Sequence, residues 1–354
     1  MLVAPAHRTI LEGDQAQTSM EVVRKLDETR WRAFVDDHPL GNIFHTPEMF
    51  QIISRTKGQQ PELWAIINQK KQPLALFLPT KVTLIGGLLR HLTARAIAYG
   101  SVLCAPGSEG LEALEILLQA YKKDTPNSVL FTELRNLSDL SELQPVLNKH
   151  GFIFEDHLDY LIDLDRPVEK VLQGIGKRTR KKIRKGLRDQ LVQMSEVTNL
   201  IELEDWYRTL QKTYSSAQVP LADRSMFEAA FEELYPKGMA KFLMARVNES
   251  TVACSAELAY KDTIYGWYGG SDRNYSQYLP NEMLIWHILE WGASNGYRVY
   301  DFGGAGKPDE EYGVRDFKAK FGGNLVNFGR NTDVHRPTLL KISRQGYKLY
   351  RRLL

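Results

Sequence analysis

The chain has 354 residues, 43% hydrophobic and 25% charged, which suits two globular domains and excludes a largely disordered polypeptide. No apolar run approaches the roughly 18 residues of a membrane-spanning helix, and Met1 to Asp14 lacks the basic, apolar and small-residue zones of a secretory leader. The net charge is +3, and the two cysteines, Cys104 and Cys254, read as buried, reduced core thiols, so the expectation is a cytoplasmic protein.

Taken in order, Met20–Leu26 reads as a strand and 27–38 as a helix capped by Asp27. Thr46-Pro47-Glu48 opens a second helix, because proline fits the first turn and an acid faces the positive dipole end. Apolar runs at 62–67, 74–84 and 88–99 predict three strands, followed by a helix over 109–123, a strand over 128–134, a helix over 139–150 and a strand over 160–164. The second half repeats this order. It has a strand at 191–197, helices at 200–216 and 223–235, and strands at 240–247, 252–259 and 263–269. A helix at 281–295, a strand at 299–302, a short helix at 315–321, a strand at 324–328 and a basic helix at 341–354 complete it. The expected architecture is α/β with a mixed sheet in each half, divided into domains 1–160 and 161–354.

The charge is unevenly placed. From Lys170 to Gln190 there are nine basic residues and one acid, Asp189, so this segment carries +8 and leaves the rest mildly acidic. Over 175–190, Ile175, Thr179, Ile183, Leu187 and Leu191 recur every fourth residue as an apolar stripe. A solvated helix would interleave acids with its cations. A helix that does not is a candidate phosphate-binding element, whether for a nucleotide diphosphate, an RNA backbone or a lipid headgroup. The basic amphipathic segment at 341–354 is expected to pack on its domain, and touches an anionic membrane surface in the alternative.

Between Gly266 and Gly323 lie 11 of the 26 glycines, and the last 154 residues hold 24 of the 36 aromatics. Trp267-Tyr268-Gly269-Gly270 and Tyr300-Asp301-Phe302-Gly303-Gly304 each end an apolar strand in two glycines, which suits close backbone approach to a ligand or, equally, a tight turn. Tyr312 and Arg315 precede Phe317-Lys318-Ala319-Lys320-Phe321-Gly322-Gly323 and place cations beside that groove. The chain has no GxxxxGK[ST], HExxH or GxSxG signature, its histidines lack partners at ligand spacing, and neither a metal site nor a cofactor is expected.

These motifs and the element order resemble the FemABX family of peptidoglycan bridge-forming aminoacyltransferases, from about Phe44 to Gly329. The resemblance implies an α/β (α+β) fold of two GNAT-like domains, each a mostly antiparallel mixed sheet flanked by helices. It also implies aminoacyl transfer from aminoacyl-tRNA to a UDP- or lipid-linked muropeptide, at or near the inner face of the membrane. By similarity Lys318, with Phe317 beside it, meets the ester or the developing oxyanion. The resemblance also implies that an arginine among Arg178, Arg180 and Arg184 holds precursor phosphate, and Lys181, Tyr268, Gly269, Gly270, Asp301, Gly303, Gly304, Tyr312 and Arg315 are the further expected substrate-binding residues. The sequence departs from the family where Met49-Phe50 and Ser54 stand near an expected tryptophan and lysine, and no helical-hairpin insertion follows Gln190. Two other readings stay open: a GNAT-type N-acyltransferase using acyl-CoA, and a non-catalytic binder of RNA or anionic headgroups. Against acyl-CoA, the segment Arg273–Asn281 has no glycine where a pyrophosphate loop would open the following helix.

Overall fold

The computed structural model describes residues 20–83, 93–125, 128–343 and 345. Strand β1 (Glu21–Val23) leads into helix α1 (Glu28–Asp37), whose first turn is capped by the Asp27 carboxylate accepting from Arg30 N. Thr46 caps α2 (Pro47–Arg55) in the same way, accepting from Met49 N at 3.2 Å. The strand expected at 74–84 is bent into two, and those expected at 62–67 and 88–99 each adjoin a short further strand outside the expected bounds. Strand β2 (Gln59–Pro61) runs on into β3 (Trp64–Ile67), β4 (Pro73–Phe77) into β5 (Thr80–Val82), and β6 (Arg95–Tyr99) into β7 (Val102–Cys104). One meander thereby crosses two sheets, β1-β3-β4-β7 and the β2-β5-β6 part of a larger one. The bends have local causes. Pro79 has no N–H to offer a ladder, while Gly100 and Ser101 take positive φ of 77° and 71°. Residues 84–92 of the expected strands lie outside the described residues.

Helix α3 (Ser108–Asp124) crosses over to β8 (Phe131–Arg135), which pairs parallel with β6, as a strand–helix–strand connection requires. Helix α4 (Gln144–Lys149) starts later than expected, because the Asp139 carboxylate accepts from Ser141 N at 2.9 Å in a turn that keeps this stretch out of the helix. Strands β9 (Ile153–Glu155) and β10 (Leu158–Asp163) follow.

The second half comprises α5 (Val168–Gly174), α6 (Lys177–Asp189), β11 (Gln193–Glu196), α7 (Leu200–Ala217), α8 (Arg224–Glu233), β12 (Ala240–Val247), β13 (Ser250–Tyr260) and β14 (Thr263–Ser271). Helix α9 (Pro280–Ser294), β15 (Val299–Gly304), α10 (Gly313–Ala319), β16 (Asn324–Asn327) and β17 (Arg330–Val334) complete it. The large sheet has the order β11-β12-β13-β14-β15-β10-β16. Strand β10, read from sequence as finishing the first half, is thus interior to the second sheet. Strand β17 turns back and enters the first, whose order is β2-β5-β6-β8-β17-β9. Such a return covers an otherwise bare edge of β8. Of the basic segment expected at 341–354, residue 344 and residues 346–354 lie outside the described residues.

The two halves share one core. Phe44, Met49 and Ile52 from the first pack with Trp206, Phe227 and Phe242 from the second. Polar ties reinforce the seam: buried Glu48 accepts from Arg32 at 2.6 Å and Lys237 at 3.0 Å, and Lys261 Nζ donates to the carbonyls of Val35 and His38. Cys104 and Cys254 are buried free thiols, and burial pushes Cys104 up to about 11 and raises Cys254 further. Iodoacetamide is therefore expected to label neither cysteine in the native protein at mildly alkaline pH and both in urea, a difference that mass spectrometry reads directly.

Candidate active site

Both halves contain a parallel strand pair whose last register partners carry polar side chains. In the first this is Tyr99 opposite Arg135, and in the second Tyr265 opposite Asp301. The two pairs face each other across Phe44, whose ring lies 5.2 Å from both Tyr99 and Tyr265. Past Tyr265 and Asp301 the pairing of β14 with β15 stops, although β14 runs on to Ser271 and β15 to Gly304. The ladder ends there, at the carboxyl ends of parallel strands where α/β sheets form their sites, and the region beyond it is the candidate cleft.

Lys318 closes the inner end of this cleft. It is buried, and its Nζ donates to the carbonyls of Phe302 (2.5 Å), Gly303 (2.7 Å) and Gly304 (2.9 Å). All three ammonium protons are thereby engaged on the free end of β15. Beneath it lies a buried carboxyl pair. Burial pushes Asp159 up to about 6 and raises Asp301 further, with the Asp159 charge adding to that rise, and the two side chains hydrogen-bond to each other. A shared proton is what such a pair requires. Asp301 also accepts from Gly303 N at 2.8 Å, which fixes the turn where Gly303 takes φ of 72°. Burial brings Lys318 down to about 8 despite both acids.

A second charged group borders the seam. Arg135 donates to Glu133 at 2.7 Å and to the Tyr99 hydroxyl, and its guanidinium lies 4.7 Å over the Tyr99 ring. Burial pushes Glu133 up, but Arg135 and Arg330 outweigh it and hold the group below its ordinary value. Arg330 also bonds His157 Nε2 at 2.9 Å, and burial followed by the Arg330 charge lowers His157 to about 4. Sequence reasoning missed Tyr99, Glu133, Arg135, His157, Asp159, Tyr265 and Arg330. The usable signal was the strand–helix–strand order, which predicts the parallel pair and directs attention to the residues at its carboxyl ends.

The residues singled out from sequence fall into separate groups. Phe317 packs edge-on against Phe321 at 5.3 Å on the same helix as Lys318. Tyr268 is half-buried in an aromatic wall with Phe227, Trp267 and Tyr214. Gly269 and Gly304 are exposed beside the cleft. Gly270 instead serves packing, because a Cβ there would lie 2.7 Å from Thr213 Oγ1 on α7. The Arg315 guanidinium donates to the carbonyls of Lys307 (2.5 Å) and Glu310, stapling the loop that ends at exposed Tyr312.

Helix α6 is joined to this centre at its start, where Gly176 N donates to Lys320 O at 3.0 Å just past the end of α10. Arg180 donates to Gln173 O and Arg184 pairs with Glu169, whereas Arg178 and Lys181 are exposed without an ion pair among the described residues. The apolar stripe is buried at Ile175, Thr179 and Ile183 but emerges at Leu187 and Leu191, contrary to the sequence expectation. Helix α6 ends there, and Gly186 is as far as α9 follows it, through Met283.

A family model described as an acetyltransferase (GNAT) domain matches residues 176–318. A Lipid II:glycine glycyltransferase of Staphylococcus haemolyticus is 28% identical over 131 residues, which span 35% of this chain and 31% of that protein, so the match covers about a third of either. Among solved structures, FemX superposes with a TM-score of 0.69 at 14% identity, over 91% of this chain and 99% of that one. L-PGS from Bacillus licheniformis gives 0.57 at 12% over 91% and 97%, and a tandem GNAT protein from the clavulanic acid biosynthesis pathway 0.57 at 9% over 90% and 99%. These structural likenesses are of fold: with its split sheets and two facing strand pairs the chain has the two-halved GNAT-like α/β fold that FemX shares, and residues 176–318 match a GNAT domain.

Proposed function

We propose that this protein is an aminoacyltransferase that moves an amino acid from aminoacyl-tRNA to an amine of a UDP- or lipid-linked muropeptide. The observation that carries the reading is the buried Lys318 ammonium at the inner end of the cleft past the parallel pair, with the unpaired cations of α6 beginning beside it. An aminoacyl ester is already activated, so proximity and a donor at the carbonyl oxygen are the main requirements. The acceptor amine attacks the ester carbonyl, a C–N bond forms, and negative charge gathers on the carbonyl oxygen. Lys318 exchanges its longest contact, Gly304 O at 2.9 Å on the partly buried side, for that oxygen. The C–O bond to the ribose then breaks, and the proton lost by the amine ends on the departing ribose oxygen. Arg178 and Lys181 supply charge for precursor phosphate, and the half-buried tyrosines wall the peptide.

The test is transfer of radiolabel from a total aminoacyl-tRNA pool to UDP-linked muramyl pentapeptide, with Arg178→Ala/Lys181→Ala as a binding control. Label in the precursor supports the reading, and a raised KM in the control assigns the phosphate contact. A second reading, acyl-CoA as donor, is favoured by the acetyltransferase family match. Arg273–Tyr278 is a 3-10 turn, Leu279 takes φ of 60° and Pro280 lacks an N–H, an arrangement poor in free amides for a pyrophosphate. Saturable CoA thioester binding by calorimetry, with no transfer from tRNA, would establish this second reading instead.

A further inference from the structure

We infer that the outer end of α6 is a docking surface for an anionic phospholipid bilayer, a deepening that rests on the proposed lipid-linked acceptor for its purpose but not for its test. The apolar stripe of this helix anchors it through Ile175, Thr179 and Ile183, then surfaces in two leucines, Leu187 at 42% exposure and Leu191 at 57%. Isolated exposed leucines are ordinary. Leu187 continues the buried row, Leu191 follows just past the left-handed Gln190 cap, and both sit at the end of a helix whose sole acid is Asp189, shared by Lys185 at 4.0 Å and Arg188 at 3.4 Å. Exposed leucines beside a basic face are the pattern of a helix lying at a lipid–water boundary, with cations among headgroups and side chains below them. An RNA backbone would use the cations and leave the leucines without a role.

The geometry connects that surface to the cleft. Arg178, Lys181, Lys185 and Arg188 fall at i, i+3, i+7 and i+10 and therefore share one face, turned away from the buried stripe and nearest to Leu187 at Arg188. The row spans about 15 Å at 1.5 Å per residue, from the bilayer end to the helix start beside Lys320. A phosphate tethered to lipid meets positive charge along the whole path. No helix among the described residues is long and apolar enough to cross a membrane, so contact of this kind acts at the surface.

The experiment is co-sedimentation of the full chain with vesicles of phosphatidylcholine alone and with about one third phosphatidylglycerol, a fraction at which polybasic surfaces bind measurably. Binding only to the anionic vesicles is expected, weakened by added salt. Leu187→Gln/Leu191→Gln is expected to reduce partitioning about tenfold, from loss of inserted apolar surface. Lys185→Glu/Arg188→Glu is expected to reduce it at least as far. Thermal melts of both variants matching the parent exclude unfolding, since all four side chains are exposed. Transfer to the soluble UDP-linked acceptor should be unchanged in the leucine variant, so failure of the aminoacyltransferase reading and failure of docking register in different assays. Full vesicle binding by the leucine variant overturns the proposal. So does charge reversal that abolishes binding of bulk tRNA while sparing vesicles, which would make the surface an RNA contact.

Discussion

Lys318→Met is expected to lower stability by about 3–5 kcal/mol, the cost of removing one partner from a buried ionic cluster, and to cut transfer by about 10²–10³-fold, the loss of one oxyanion donor. Both effects follow from the same three hydrogen bonds. The ammonium satisfies the carbonyls of Phe302, Gly303 and Gly304, and it balances Asp159 and Asp301 below. Methionine preserves bulk but leaves those acceptors buried without donors. Urea denaturation measures the first loss and the radiolabel assay the second. The unmodified protein supplies an independent test. Burial lowers Lys318 to about 8, so the ammonium is present below that pH and lost above it, and transfer should decline through an alkaline limb near pH 8. A flat profile well above that value would remove Lys318 from the chemistry and leave it as the clamp of the strand end.

Gly322→Ala is expected to destabilise the protein by about 2–4 kcal/mol, combining left-handed backbone strain with overpacking. Gly322 has φ of 78°, and a Cβ there would lie 2.5 Å from the carbonyl oxygen of Gly174, a backbone atom that cannot rotate away. Its neighbour Gly323 has φ of 89° and would meet Leu161 O at 2.7 Å. The pair presses the end of α10 onto the α5–α6 junction and onto β10 at once. Displacing it moves the helix that holds Lys318, so transfer should fall along with the melting temperature. Gly313→Ala, in the first turn of the same helix with open space around it, should change stability by less than about 1 kcal/mol and spare activity. Equal losses in the two variants would show that α10 tolerates no side-chain change at all, and would sink the argument from Gly322's contact.

Much of the secondary structure was legible because it is decided locally. Asp27 and Thr46 cap their helices, Ala240–Val247 forms the strand its residues specify, and α7 and α9 start and stop within a residue or so of their expected ends. The long apolar run after Leu74 was read as one strand and is two: Pro79 marks the break locally, and tertiary pairing decides which sheet each half joins. For the site, the Phe-Lys and Gly-Gly motifs lie beside the end of the parallel pair, and the fold gives several of these residues internal contacts that the sequence did not suggest. Arg315 was read as a ligand cation and holds its own loop. Gly270 was read as lining the groove and lets α7 approach β14.

The sequence by itself determined the α/β class, the ends of the capped and periodic helices such as α1, α7 and α9, the concentration of positive charge on one helix and the glycine-rich segments around the cleft. These follow from short-range rules of period, capping and charge that operate within about ten residues. The tertiary structure alone decided that β10 enters the second sheet and β17 the first, and that Tyr99 with Arg135 faces Tyr265 with Asp301. It also decided that Lys318 sits over a pair of acids, one of them 142 positions further along the chain than the other. Those juxtapositions arise because strand edges must be covered and a buried ammonium must find acceptors. Several partners meet these needs in principle, and folding selects among them by geometry that no local pattern encodes.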